Sequence, residues 1–209
     1  MHGLPGRRAG TAEGSGLDGG PVTEPELAVV PPARIEGLAG IVEVTMHADN
    51  ARVRDRAGRV WSWGSGFEGE LGRGKRRADL VPGRVELPAP VRSIAVAPSA
   101  CLALLADGSV HGWGHSEAEI GFLPPTAKTL RVLAPVPVAG VDAVEHLWLG
   151  GGVLAIYRTA AGDAFSAGIG SDRLYPADPV PRGIVRHPDL DRFERFVLGR
   201  QCGFGFARA

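Results

Sequence analysis

The sequence predicts an all-β fold, a partial β-propeller of about three to four antiparallel blades, and three observations carry that reading. A short motif centred on a glycine turn recurs along the chain, with a step of 50 residues from Gly58 to Gly108 and of 54 from Gly108 to Gly162. Strands that repeat about every 50 residues are the pattern of propeller blades. Each copy of the motif follows an apolar strand, a small-residue turn and a second strand, so one unit is a run of consecutive antiparallel strands. The composition agrees: 31 Gly and 17 Pro in 209 residues punctuate many short elements, while 44% hydrophobic residues suffice to bury a core. That balance argues against an all-helical fold and against wholesale disorder.

In chain order, residues 1–33 are rich in Gly, Pro, Glu and small residues with no period of 2 or 3.6, and read as a disordered tail. The repeats occupy 34–209, with copies expected to start near Val42, Arg92, Val144 and Arg195. In the first copy, Ala57-Gly58-Arg59-Val60-Trp61-Ser62-Trp63-Gly64 supplies the turn and third strand. Residues 83–87 then read as an outer strand, because a sheet edge tolerates the neighbouring Pro82, Pro88 and Pro90. The second copy has strands at 93–97, 101–106 and 109–114, with Asp107-Gly108 between the last two. Asp-Gly in that position is a strong hairpin signal, since Gly accepts the positive φ of a tight turn. The third copy, Ala161-Gly162-Asp163-Ala164-Phe165-Ser166-Ala167-Gly168, has lost its tryptophans and keeps both glycines. A fourth begins with strands at 196–199 and 202–207 and reaches Ala209 where its glycine turn is due. Trp63 and Trp113 are expected to fill space between neighbouring blades, where Gly and Ala let backbones approach.

The series Gly58 to Gly64, continuing Ser65-Gly66-Phe67-Glu68-Gly69-Glu70-Leu71-Gly72, resembles the repeat of the regulator of chromosome condensation family. In that family a glycine turn, a Trp-Gly pair and a later Gly-x-Leu-Gly recur at this spacing. The second copy keeps Asp107-Gly108, Trp113-Gly114 and Ile120-Gly121, with one residue deleted between the last two pairs. A kelch-type propeller is the competing assignment, resting on a similar period and Gly151-Gly152. The resemblance covers about 34–209 and implies a scaffold more than a chemistry. Its members usually close a seven-bladed ring, and include a nucleotide exchange factor for a small GTPase, chromatin-binding proteins, ubiquitin-ligase modules and bacterial inhibitor propellers. Many family repeats carry Gly and His in the turn between the first two strands. The aligned positions here read His47 and Asn50, Ala97 and Ala100, Gly151 and Leu154, Gly199 and Cys202, so no functional residue is carried over.

Lys plus Arg and Asp plus Glu number 23 each, so the chain has no overall field to gather nucleic acid or an anionic membrane. No run approaches the roughly 18 apolar residues of a membrane helix, and the start lacks the basic-then-apolar order of an export signal. A cytoplasmic protein is expected, with another protein as partner and no cofactor or metal. Gly69-Glu70-Leu71-Gly72-Arg73-Gly74-Lys75 has the spacing of a phosphate-binding P-loop as far as its lysine. Arg76 stands where Ser or Thr would bind magnesium, however, and prolines follow instead of a helix. His111 and His115 are four apart, but Gly112 and Gly114 oppose the helix that would align both on zinc. Cys101 and Cys202 read as buried reduced thiols.

Two regions stand out as partner contacts. Arg73, Lys75, Arg76 and Arg77 put four cations within five residues, suited to phosphate or an acidic partner surface. On the second strand of successive copies, Arg52 and Arg54 align with Leu102 and Leu104, Ile156 and Arg158, and Phe204 and Phe206. The charged start reads as a solvent-facing cap. Phe204 and Phe206 read as an uncovered edge, open to a partner, to self-association or to a further segment. The reading is a non-enzymatic protein-interaction scaffold. The resemblance adds a regulator or exchange factor of a small GTPase as an alternative, and a propeller enzyme, lyase or hydrolase, is the third.

Overall fold

The computed structural model describes residues 2–3, 32–47, 49–115, 131–150, 154–168, 183–199 and 203–207. The chain divides into two units, Met1–Ala39 and Gly40–Ala209. In the first, β1 (His2–Gly3) pairs antiparallel with β2 (Ala33–Arg34). Residues 4–31, where most of the expected disordered tail falls, lie outside the described residues.

The second unit is three four-stranded sheets and a hairpin, every pairing antiparallel and every sheet in simple sequence order. The first sheet is β3 (Ile41–His47), β4 (Asn50–Asp55), β5 (Val60–Gly64) and β6 (Asp79–Val85). The second is β7 (Val91–Val96), β8 (Ala100–Leu105), β9 (Val110–His115) and β10 (Arg131–Pro137). The third is β11 (Val144–Leu149), β12 (Leu154–Thr159), β13 (Ala164–Gly168) and β14 (Val185–Arg186), followed by a 3₁₀ turn at Pro188–Leu190. The hairpin is β15 (Phe193–Leu198) with β16 (Gly203–Ala207). Consecutive first strands touch, β3 on β7, β7 on β11 and β11 on β15. The blades therefore converge at their first strands, with β6 and β10 outermost, which is the arrangement of a partial β-propeller.

The repeat is geometric as well as sequential. Each first hairpin carries one extra residue at the same place, Val42, Arg92, Glu145 and Glu194, where the register slips. A bulge there adds local twist to every blade at one point. Successive blades are joined through the glycine turns: the Gly58 carbonyl accepts the Val91 N–H at 2.9 Å, and the Gly108 carbonyl accepts the Val144 N–H at 2.9 Å. The end of one blade's second strand thus anchors the next blade's first. The core centres on β8, every residue of which is buried, with Val110, Trp113, Val144 and Tyr157 packed around it. A smaller cluster joins Ile156, Ala164, Leu190 and Phe196, and the Trp148 and Phe196 rings meet edge to face at 5.1 Å.

The two broad faces of each blade differ. Cross-strand pairs Thr45–Arg52, Ala95–Leu102, Trp148–Ile156 and Val197–Phe204 occupy equivalent places, on the face turned toward the next blade. This corrects the expectation of a charged cap. Arg52 is fully buried, donating from Nη1 to Asn50 Oδ1 at 2.6 Å and from Nη2 to the Glu70 carbonyl at 2.5 Å. Arg54 pairs with Glu43 at 2.6 Å, and the other Glu43 oxygen accepts the Ile94 N–H of β7 at 3.1 Å. Strand alternation places both guanidinium groups on the inward joint, where acceptors meet both terminal nitrogens of Arg52 and the Nε of Arg54. The opposite face of the first blade, which bears Val44, Met46, Trp61 and Trp63, is the exposed or half-buried one.

Candidate functional site

The loop between β5 and β6 is the part that reaches from one blade to the next. Residues 66–74 cross onto the second blade and close over Trp113, whose indole is completely buried and donates to the Glu70 carbonyl at 2.9 Å. Gly72, at φ +65°, lies flat on that indole: a Cβ there would stand 2.7 Å from the Trp113 Nε1. Gly69 sits against Leu133 of β10, and the Gly74 N–H donates to the Leu133 carbonyl at 2.7 Å. Glu68 accepts from Arg131 at 2.5 Å and lies 3.4 Å from His115 Nδ1. The Arg131 hydrogen bond leads in holding its carboxyl below the ordinary 4.5. The loop is tied back to its own blade by Ser62, whose hydroxyl donates to the Leu71 carbonyl at 2.6 Å. This explains why a Trp-Gly pair and a Gly-x-Leu-Gly travel together: the second motif of one copy seals the first motif of the next.

The same positions on the first blade are open. Trp63 pairs with Ala51 as Trp113 pairs with Cys101, yet it is only half-buried. Leu80 is 82% and Val81 69% exposed. Both lie where β6 swells away from β5, three residues between Asp79 and Gly83 opposing the single Trp63 between Ser62 and Gly64. The expectation that both tryptophans fill space between blades therefore holds for Trp113 and fails for Trp63, since among the described residues no loop closes over it.

Along the β6 edge of the same blade lies a recess of about 200 Å³ lined by Leu71, Arg73, Lys75, Arg77, Asp79 and Arg84. Arg73 lies across Gly83 and bridges to Asp79 at 3.0 Å. The Val81 N–H, then Arg73 and Arg77, hold the Asp79 carboxyl below its ordinary 3.8. Lys75, Arg77 and Arg84 are exposed and form no salt bridge or hydrogen bond among the described residues. The recess thus gathers three of the four clustered cations, Arg73, Lys75 and Arg77. Arg76 turns aside to donate to the Phe67 carbonyl at 3.0 Å.

Phe204 and Phe206 belong to a different sheet. They lie on the outward face of the β15–β16 hairpin, 63% and 49% exposed, with Arg195 stacked 5.2 Å over the Phe206 ring. Sequence reasoning missed Arg84, Leu80 and Val81. The signal was present as an internal repeat: Leu80-Val81-Pro82 matches Leu133-Ala134-Pro135. The P-loop-like stretch 69–75 is the interblade loop and leads into β6, with no helix after it. His111 and His115 are set along β9, about 13 Å apart at strand rise. Burial lowers the His111 pKa and pushes the Cys101 thiol up to about 12, keeping it protonated. Ile120-Gly121, Gly151-Gly152 and Cys202 lie outside the described residues.

The class of protein follows from this architecture: a partial propeller of interlocking repeats whose distinctive surface is a basic, partly apolar blade face. Residues 57–104 match the model of the regulator of chromosome condensation repeat. The chain carries repeats of that family in a partial array. It is 34% identical over 124 residues to the human regulator of chromosome condensation, a match covering 55% of this chain and 28% of that protein. It is 30% identical over 133 residues to a mouse RCC1-like G exchanging factor-like protein, covering 62% of this chain and 29% of that one. The matched stretches therefore span less than a third of these relatives. Among solved structures, yeast RCC1 (Prp20) in its complex with Kap60 aligns with a TM-score of 0.69 at 20% identity, covering 86% of this chain and 44% of that one. Among the described residues no helix is long and apolar enough to cross a membrane.

Proposed function

We propose that this chain is a non-enzymatic protein-binding scaffold of the cytoplasm, and that its first blade carries the contact surface. The observation behind this reading is the recess lined by the exposed cations Lys75, Arg77 and Arg84, together with exposed Leu80 and Val81 on the same strand as Arg84. Phe204 and Phe206 on the last hairpin are the second contact in the same reading, for a partner or a further copy of the chain. Affinity capture with the purified chain, repeated with Lys75→Glu plus Arg77→Glu, tests the primary surface. A partner retained by the native chain and lost on charge reversal supports it, whereas a partner retained by both moves the contact elsewhere.

A second reading, regulation of a small GTPase by nucleotide exchange, is favoured by the likeness to the mouse RCC1-like G exchanging factor-like protein. It requires that a captured GTPase release labelled GDP faster with the chain present. Capture without acceleration returns the chain to the scaffold reading.

A further inference from the structure

We infer that the outward face of the first blade is a docking socket for an acidic glycine–leucine loop delivered by another polypeptide, of the chemistry of residues 67–74. The inference rests on the protein-binding reading and names what is bound. The molecule contains its own template. On the second blade the socket consists of Trp113, Leu133 and the cation Arg131, and each has a definite partner in the incoming loop: a glycine flat on the indole, a glycine N–H on the leucine carbonyl, and a carboxylate on the guanidinium. The first blade presents the tryptophan and the leucine in register, with a cation next to the third position. Trp63 takes the place of Trp113 in register, and its indole N–H makes no hydrogen bond among the described residues. Leu80 takes the place of Leu133, one residue after the position paired to the Trp-Gly glycine: Gly64 opposes Asp79 as Gly114 opposes Val132. Arg131 falls at Ala78, and Arg77 stands immediately beside that position, exposed and without a salt bridge.

The chemistry of the occupant follows from these parts. Only a glycine in the left-handed region brings a backbone flat onto an indole, since a Cβ would strike the ring. Leucine has a place in the template too: Leu71 is buried as the loop closes. An acidic residue ahead of the first glycine meets the exposed cations, as Glu68 meets Arg131. A phosphate backbone would satisfy the cations and leave Leu80 and Trp63 uncovered. The joint between the first two blades thus sets the specificity expected of the open face.

The test uses the full chain and a fluorescein-labelled peptide of residues 65–75, Ser-Gly-Phe-Glu-Gly-Glu-Leu-Gly-Arg-Gly-Lys. Anisotropy follows binding, and the Trp63 indole resonance in nitrogen-edited NMR reports its place. Saturable binding below about 1 mM is expected, with Leu80→Ser and Arg77→Glu each weakening it about fivefold or more. Val197→Ser, at the far hairpin, should leave it unchanged. A peptide carrying Leu71→Ser and Gly72→Ala should bind about tenfold more weakly. Leu80 is so exposed that its replacement will not unfold the chain, and a melting curve checks this. No saturation by about 1 mM, equal binding by Leu80→Ser and Arg77→Glu, or equal binding of the substituted peptide would each overturn the inference. Should the chain still capture a protein partner in a manner indifferent to Leu80→Ser, the inference falls while the scaffold reading stands.

Discussion

Trp63 and Trp113 hold the same place in two repeats and have different surroundings, so they separate intrinsic chemistry from context. Trp113 is sealed by the preceding blade's loop, and Trp113→Ala should lower the unfolding free energy by about 3–5 kcal/mol through the cavity it leaves. Trp63→Ala should cost about half of that or less, because a half-buried ring leaves a smaller void. Urea denaturation of both variants checks the order. Asp55 makes a second residue-level test. Burial alone would raise its carboxyl, but the Arg59 backbone N–H, the Arg59 guanidinium and the Ala57 N–H outweigh that and bring it below 3.8. A depressed carboxyl stabilises the fold above its ordinary value, and that contribution is lost as the pH falls through the lowered one. Melting temperatures from pH 6 down to pH 2 should therefore drop less steeply for Asp55→Asn than for the native chain. The glycine and tryptophan positions were legible because their spacing repeats. The inward turn of Arg52 was not, because a sequence does not reveal which face of a strand meets the next blade.

The glycine after each tryptophan sets how tightly a blade folds on itself. Gly114 has φ +98°, and a Cβ there would lie 2.1 Å from the Ser99 carbonyl oxygen that accepts the His115 N–H. Gly114→Ala should destabilise the second blade by more than about 2 kcal/mol, combining a forbidden backbone region with a backbone clash. Gly74, with nothing within 4 Å of a Cβ built there, carries only the conformational penalty. Gly74→Ala should cost about 1 kcal/mol, and thermal melts of the pair measure the contrast. At this scale the strand starts were readable: Ile41, Val91, Val144 and Phe193 fall within two residues of the expected Val42, Arg92, Val144 and Arg195. The outer strand of the first blade was not, since it begins at Asp79, before Pro82 and the swelling that prolines on an edge permit. The hairpin turns declared themselves through the recurring glycines Gly58, Gly108 and Gly162, each at positive φ. The bulges at Val42, Arg92, Glu145 and Glu194 carry no residue signature in common and became visible only through register.

Across the whole unit, burial is greatest in the middle blade and thins toward the last hairpin, where all five residues of β16 are exposed. In an array stabilised by neighbour contacts, local opening should follow that gradient. Hydrogen exchange is expected to be slowest in β8 and β9 and fastest in β15 and β16. Uniform protection from β3 to β16 would mean that the blades open only together. The difference between the two faces of a blade has a further consequence for symmetry. The patch at one end, Phe204 with Phe206, is unlike the patch at the other, Val44 with Met46 and Trp63, so an end-to-end contact joins two different surfaces. Copies that associate through these two ends must stack head to tail. The assemblies open to them are closed rings, the smallest a pair in which each end meets the opposite end of the other copy about a two-fold axis, or helical filaments.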